Sequence, residues 1–124
     1  MNMAVMQSRD TRTVIAGADL SAAQFKFVKL DSAAEAVLAG NGESAFGVCL
    51  VGAAEDNAAT VVVQGKTMVK CGGTVTAGGA VGIDAAGLAV DAASTDIIMG
   101  YATEAGVTSQ IIAIELIQGG NAAA

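Results

Sequence analysis

Apolar positions along this chain alternate with polar ones at a period of two, in runs too short for helices. The clearest run is Ser109 to Gln118, where Ile112, Ile114 and Leu116 lie opposite Ala113 and Glu115, as a half-buried strand requires. Ala45 to Val51 sets Phe46, Val48 and Leu50 against Gly47, Cys49 and Val51, which is a strand apolar on both faces. Thr60 to Gln64 and Lys66 to Cys71 read as two strands, or as one strand bent at Gly65, with Thr67, Val69 and Cys71 on one face and Lys66, Met68 and Lys70 on the other. Val81 to Asp84 and Leu88 to Asp91 form a hairpin, with Asp84 and Gly87 at the first and fourth positions of a type I turn. Ile97 to Thr103 supplies a further strand.

The first third of the chain is less regular. Thr13 to Ala16 is strand-like, a turn follows at Gly17 to Asp19, and Ala22 to Leu30 is a longer strand. Phe25 and Phe27 share one face of that strand, but Val28 and Leu30 break the alternation, and a β-bulge near Phe27 would reconcile the two halves. Ser32 and Glu35 have capping-box spacing. A helix ended by Gly40 would be so short that a turn followed by a strand from Glu35 to Ala39 is the preferred reading. Residues 1–12 carry no periodicity and are expected to form an extended arm, residues 13–118 a single β domain, and residues 119–124 a frayed tail. About eight to ten short strands at turn spacing make the expected fold class mainly β, a small barrel- or sandwich-like domain of antiparallel strands. No segment is long enough for the crossover helices of a parallel sheet.

Composition sharpens this picture. Of the hydrophobic residues 27 are Ala, 22 are Val or Ile and 6 are Leu, while Phe25, Phe27, Phe46 and Tyr101 are the whole aromatic content. β-Branched side chains fit a pleated surface better than a helix. With no proline to blunt strand edges, closure or a neighbouring subunit must cover them. The longest uncharged run, Cys71 to Ile83, is 13 residues, against the roughly 20 that a membrane-spanning helix needs, so no membrane partner is expected. MNMAVMQSRDTR has no export-signal pattern, which points to cytosolic synthesis and to Cys49 and Cys71 as unpaired thiols.

Net charge is +2 over residues 1–30, −3 over 31–70 and −5 over 71–124. An acidic body with a mildly basic leading arm lacks the clustered cations and stacking aromatics of a nucleic-acid binder. The absence of histidine removes the commonest general base and metal ligand. Asp84, Asp91, Asp96 and Glu104 sit at turns or their edges, where acids are favoured for structural reasons. Gly65-Lys66-Thr67 resembles the end of a phosphate-binding loop, but Thr60 stands where the first glycine belongs, and a strand follows where the helix should. Lys66, Met68 and Lys70 offer a contact patch or, more simply, a solvated strand face. No enzyme, metal or cofactor is expected. Two alternatives stay open: a carrier or binding module of the biotinyl or lipoyl kind, for which Lys70 in Met-Val-Lys-Cys is a poor acceptor, and a small carboxylate hydrolase, which would need a deep pocket.

In order, FVKLDSAAEAVLAGNGESAFGVCLVG, VVVQGKTMVKCGG, AGGAVGIDAAGLAV, Ile98-Met99-Gly100-Tyr101-Ala102 and the closing aliphatic strand resemble the capsid decoration, or cement, proteins of tailed bacteriophages. The resemblance runs from residue 10 to about residue 118, and its weight lies in the order of the pieces, since each is degenerate. It implies a small, mainly β, homotrimeric protein on the outer surface of the virion capsid, assembled in the bacterial cytoplasm and reinforcing the contacts between subunits of the major capsid protein. It also implies that the leading arm lies against the capsid, with Asn2, Met3, Val5, Gln7, Arg9 and Arg12 as contact residues. A core poor in aromatic side chains would gain from pooling strand faces in such a homotrimer, at about 25 cal/mol per Å² of apolar area.

Overall fold

In the computed structural model, which describes residues 9–117, the chain folds into nine antiparallel strands without a helix. They are β1 (Arg9–Ile15), β2 (Phe27–Leu30), β3 (Ala36–Leu38), β4 (Gly47–Val51), β5 (Ala58–Lys70), β6 (Ala80–Ile83), β7 (Ala89–Asp91), β8 (Gly100–Ala102) and β9 (Ile111–Leu116). The sheet order is β3-β2-β4-β5-β9-β8-β6-β7, and β1 pairs with β5. The all-β fold and the hairpins at Asp31 and Asp84 follow the sequence. The four residues Arg9 to Arg12, expected in the arm, belong instead to β1, which starts at Arg9 and pairs with β5 through its whole length. The remainder of the arm and the tail lie outside the described residues.

The thirteen-residue β5 settles the question left at Gly65: it is one strand with an inversion inside it. Val62 and Val69 both reach the larger of the two cores, although an odd spacing puts residues of a regular strand on opposite faces. The pairing shows where the extra residue sits. Asp10 lies opposite Gln64 but Thr11 opposite Val62, so Val63 is bulged out, and Gly65 follows at φ 101, in the left-handed region that glycine enters freely. At Gly65 the pairing passes from β1 to β9.

Beyond that point the chain repeats itself. Asp31 recurs as Asp84, 53 positions on, and the surrounding sequence DSAAEAVLA recurs as DAAGLAVDA. Asp31 Oδ1 accepts the amides of Ala33 (2.9 Å) and Glu35 (3.0 Å), and Asp84 Oδ1 those of Ala86 (2.8 Å) and Leu88 (2.9 Å). Ala34 and Gly87 both have positive φ, as do Gly42 and Thr95, and Asp56 and Ser109. The amide of Phe46 donates to Val28 as that of Met99 does to Val81, and the amide of Ala16 donates to Asn57 as that of Cys71 does to Gln110. Parallel bridges close both units, Ala16 on Ala36 and Cys71 on Ala89. The first unit is thus β1, β2, β3, β4 and the first half of β5. The second is the rest of β5 with β6, β7, β8 and β9, paired in the same order.

Each unit has its own interior, and the correspondence extends to it. Ala16, Leu20, Val28, Ala36, Cys49 and Val61 form the smaller core, and their counterparts Cys71, Val75, Val81, Ala89, Ala102 and Ile114 lie in the larger one. The larger core has further members, Phe27, Val48 and Val62, which come from the outer face of the first unit. These three lie side by side across β2, β4 and β5. Their neighbours Val28, Cys49 and Val61 face the opposite way, into the smaller core. The three strands are therefore a wall with a core on each side, which explains why β4 reads as apolar on both faces. At Gly47 the wall admits no side chain, because a Cβ there would collide with the carbonyl oxygen of Val62.

One expectation fails here. Ala22 to Leu30 is not a bulged strand: β2 begins only at Phe27, and Phe25 before it turns the chain at φ 67. Phe27 and Val28 are both fully buried because they serve different cores, so the broken alternation marked a two-sided wall and needed no bulge.

Candidate functional site

Of the arm residues singled out as capsid contacts, Asn2, Met3, Val5 and Gln7 lie outside the described residues. Arg9 and Arg12 stand in β1, opposite Gly65 and Val61 of β5. Arg12 is exposed, and its Nη1 donates 2.9 Å to the carbonyl of Thr11, next to it in the chain. The two arginines thus sit on the outer strand of the first unit and lead directly to the arm.

The carboxylates expected at turns are occupied there. Besides Asp84, Asp91 accepts from the amide and hydroxyl of Thr76, each at 2.8 Å, Asp96 from the amide of Ala93 at 3.0 Å, and Glu104 from the amide of Ala113 at 3.1 Å. Such bonds give partners to the loop amides of Thr76 and Ala93 and to the β9 amide of Ala113. Asp19 is held below the ordinary carboxylate range by the hydroxyl and amide of Ser21. Among the described residues, no three of Asp, Glu and Cys are gathered as metal ligands. Cys49 and Cys71 are free and buried, and burial pushes both thiols up, with the charge of Glu104 adding to the effect at Cys71. Thiolate chemistry is disfavoured at such thiols. Gly65-Lys66-Thr67 runs through the middle of β5, with Lys66 opposite Glu115 and Thr67 buried opposite Ile114, so it offers no cradle of amides to a phosphate.

What the described surface does present is a set of exposed apolar side chains. Met68 (47% exposed), Ile111 (50%) and Tyr101 (46%) stand outward on β5, β9 and β8. Register places Met68 opposite Ala113, Lys70 opposite Ile111, and both Lys66 and Tyr101 opposite Glu115. The Lys66-Met68-Lys70 stripe read from sequence is thus one edge of a broader face that crosses three strands. A second set, Ile15, Leu30, Leu38 and Val51, belongs to the first unit. Sequence reasoning missed Tyr101, Ile111 and Leu30, because only cross-strand register shows which apolar residues remain outside a core. A surface of this kind can hold another protein.

No family model matches the sequence, and no curated protein matches it. Among solved structures, the chain is similar to the N-terminal base of head fiber gp8.5 of bacteriophage phi29, with a TM-score of 0.72, at 14% identity, over 92% of this chain and 98% of that one. The likeness embraces both units and shows a shared fold.

Proposed function

We propose that this chain is a bacteriophage head protein of the decoration or cement kind, which binds the outer surface of the expanded capsid as a homotrimer and reinforces the contacts between major capsid protein subunits. The observation that carries this reading is the near end-to-end match to the base of a phage head fiber. It agrees with the independent resemblance of the sequence pieces to capsid decoration proteins. The surface chemistry is consistent with the role. Turn carboxylates are bonded to the backbone, and apolar side chains stand exposed on ordered strands, a combination suited to adhesion. Many modest contacts repeated over a symmetric shell add up through avidity. The carrier-module alternative loses ground, because Lys70 ends a strand and its amide is tied to the carbonyl of Phe25, whereas a modified lysine belongs at a hairpin tip.

Co-sedimentation with expanded, undecorated heads tests the proposal. The full chain should pellet with heads and saturate, and a chain lacking residues 1–8 should stay in the supernatant while keeping its β-type circular dichroism. The cut falls before Arg9 because β1 begins there, so the body is left whole. Failure of the full chain to bind any head preparation refutes the capsid role, and undiminished binding by the shortened chain refutes the role of the arm.

A further inference from the structure

The duplication makes each unit a control for the other, and one difference between them stands out. The outer row of the first unit, Phe27, Val48 and Val62, is fully buried because the second unit sits on it. The corresponding row of the second unit is Ala80, Tyr101 and Glu115, paired in the same register. There Ala80 is half-buried, Tyr101 and Glu115 are exposed, and no described residue covers them. The mirror-image difference appears at the open end of each interior. In the second unit, Ile83 and Gly87 are buried under the first unit. Their counterparts in the first unit, Leu30 and Ala34, are exposed, as is Ile15, the counterpart of Lys70.

The joint between the units also shows how such an end is held. The amide of Gly42 donates to the carbonyl of Ile83 (2.8 Å), that of Ile97 to Gly42 (3.2 Å), that of Phe27 to Gly87 (2.8 Å), and that of Lys70 to Phe25 (2.9 Å). The same four bonds could be formed between copies by Thr95, Ser44, Ala80 and Ile15 as donors to Leu30, Thr95, Ala34 and Gly78. Among the described residues the amides of Ser44 and Thr95 make no backbone hydrogen bond.

We propose that the chain associates with itself head to tail, the Ala80–Tyr101–Glu115 face of one copy seating on the Ile15–Leu30–Ala34 end of the next, in the manner of the joint between its own two units. Repeat proteins stack in this way, each unit covering the face its neighbour leaves open. Because the two surfaces differ, the contact is heterologous and closes into a ring if the rotation per copy permits. The inference deepens the self-association in the proposed function and rests on it.

The test is solution mass, by sedimentation velocity, of the full chain, of Tyr101→Lys, of Leu30→Lys, and of an equimolar mixture of the two variants. Both positions are exposed, so circular dichroism and the unfolding midpoint of monomeric protein should match wild type. Wild type should be larger than a monomer and each variant alone monomeric. The mixture should reach a dimer and no further, because each mixed pair has one intact face and one intact open end that fit together. A variant that keeps the wild-type mass, or a mixture that stays monomeric, overturns the head-to-tail contact while leaving self-association and capsid binding standing. Monomeric wild type at every concentration overturns both the contact and the homotrimer. Capsid binding is read separately by co-sedimentation with heads, so a monomeric chain that still pellets with them leaves the capsid role intact.

Discussion

The two units share strand order, turns and interior positions, yet they are finished differently. The second is closed by Phe27, Val48 and Val62 of the first, and its interior carries the larger side chains Ile83, Met99, Ile112 and Leu116. The first has a small interior rich in alanine, with Ala16, Ala23 and Ala36 among its buried members, and among the described residues its open end, at Ile15, Leu30 and Ala34, is left exposed. The comparison teaches that stability and contact are divided between the halves of one chain. The joint supplies much of the buried apolar surface, while the uncovered ends of the pair supply what can be offered to another molecule.

The joint is the place to break that division with the largest effect. Phe27 is the largest fully buried side chain, and its truncation opens a cavity in a wall that serves both cores. Phe27→Ala should cost about 3–5 kcal/mol of unfolding free energy in a urea titration. Tyr101, in the corresponding row but uncovered, should change the stability of monomeric protein by about 0.5 kcal/mol or less as Tyr101→Ala. If the two truncations cost the same, the first unit does not depend on the second in the way the joint implies.

How much of this could be read from the sequence depends on how local the determinant is. The turns were legible, because Asp31 and Asp84 each stand where a carboxylate can take the amides two and four residues on, a signal contained within five positions. The β6–β7 hairpin was legible from the turn positions of Asp84 and Gly87, and β9 from alternation. The bulge expected near Phe27 was the wrong remedy for a correct observation, since two-sided burial arises from the pairing of distant strands that no local window contains. The contact residues suffer from the same limit: Leu30 and Ile83 occupy matching hairpin positions with matching chemistry, and only the placement of one unit on the other leaves the first exposed and the second covered. A signal for the duplication did exist. DxAxxAVxA occurs twice at the same offset in a chain this short, and a self-comparison of the sequence finds it.

A smaller effect comes from the turn that precedes β4 in the first unit and β8 in the second. Gly42 takes positive φ there without strain, whereas its counterpart Thr95 is a β-branched residue at φ 72, where a Cβ costs roughly 1–2 kcal/mol. Thr95→Gly relieves that strain and gives back part of the gain through the greater freedom of the unfolded chain. The net should be a stabilisation of up to about 1 kcal/mol, seen as a raised urea midpoint with an unchanged slope. A loss of stability would mean that the threonine side chain has a favourable contact that outweighs its backbone strain.

The smallest expected difference concerns charge at the same two turns. Glu43 and Asp96 are counterparts, each accepting the amide of the residue three before it, Gly40 or Ala93. Among the described residues only the first has a cation beside it, because the position of Lys29 is taken in the second unit by Gly82. The Lys29 ammonium lies 2.9 and 3.1 Å from the two carboxylate oxygens, and this bond, followed by that from Gly40, holds the Glu43 carboxyl below its ordinary range. A carboxyl depressed in the folded state binds protons more tightly when the chain unfolds, so its stabilisation is present above the unfolded value and disappears as the pH falls through the folded one. Both side chains are partly exposed, at 39% and 43%, so the effect is small and screened by salt. The urea midpoint of wild type should therefore exceed that of Glu43→Gln slightly at neutral pH, and the gap should close in acid and shrink in concentrated salt. A gap that is indifferent to both would mean that the carboxylate's charge is not what holds this turn, and that the two turns are equivalent after all.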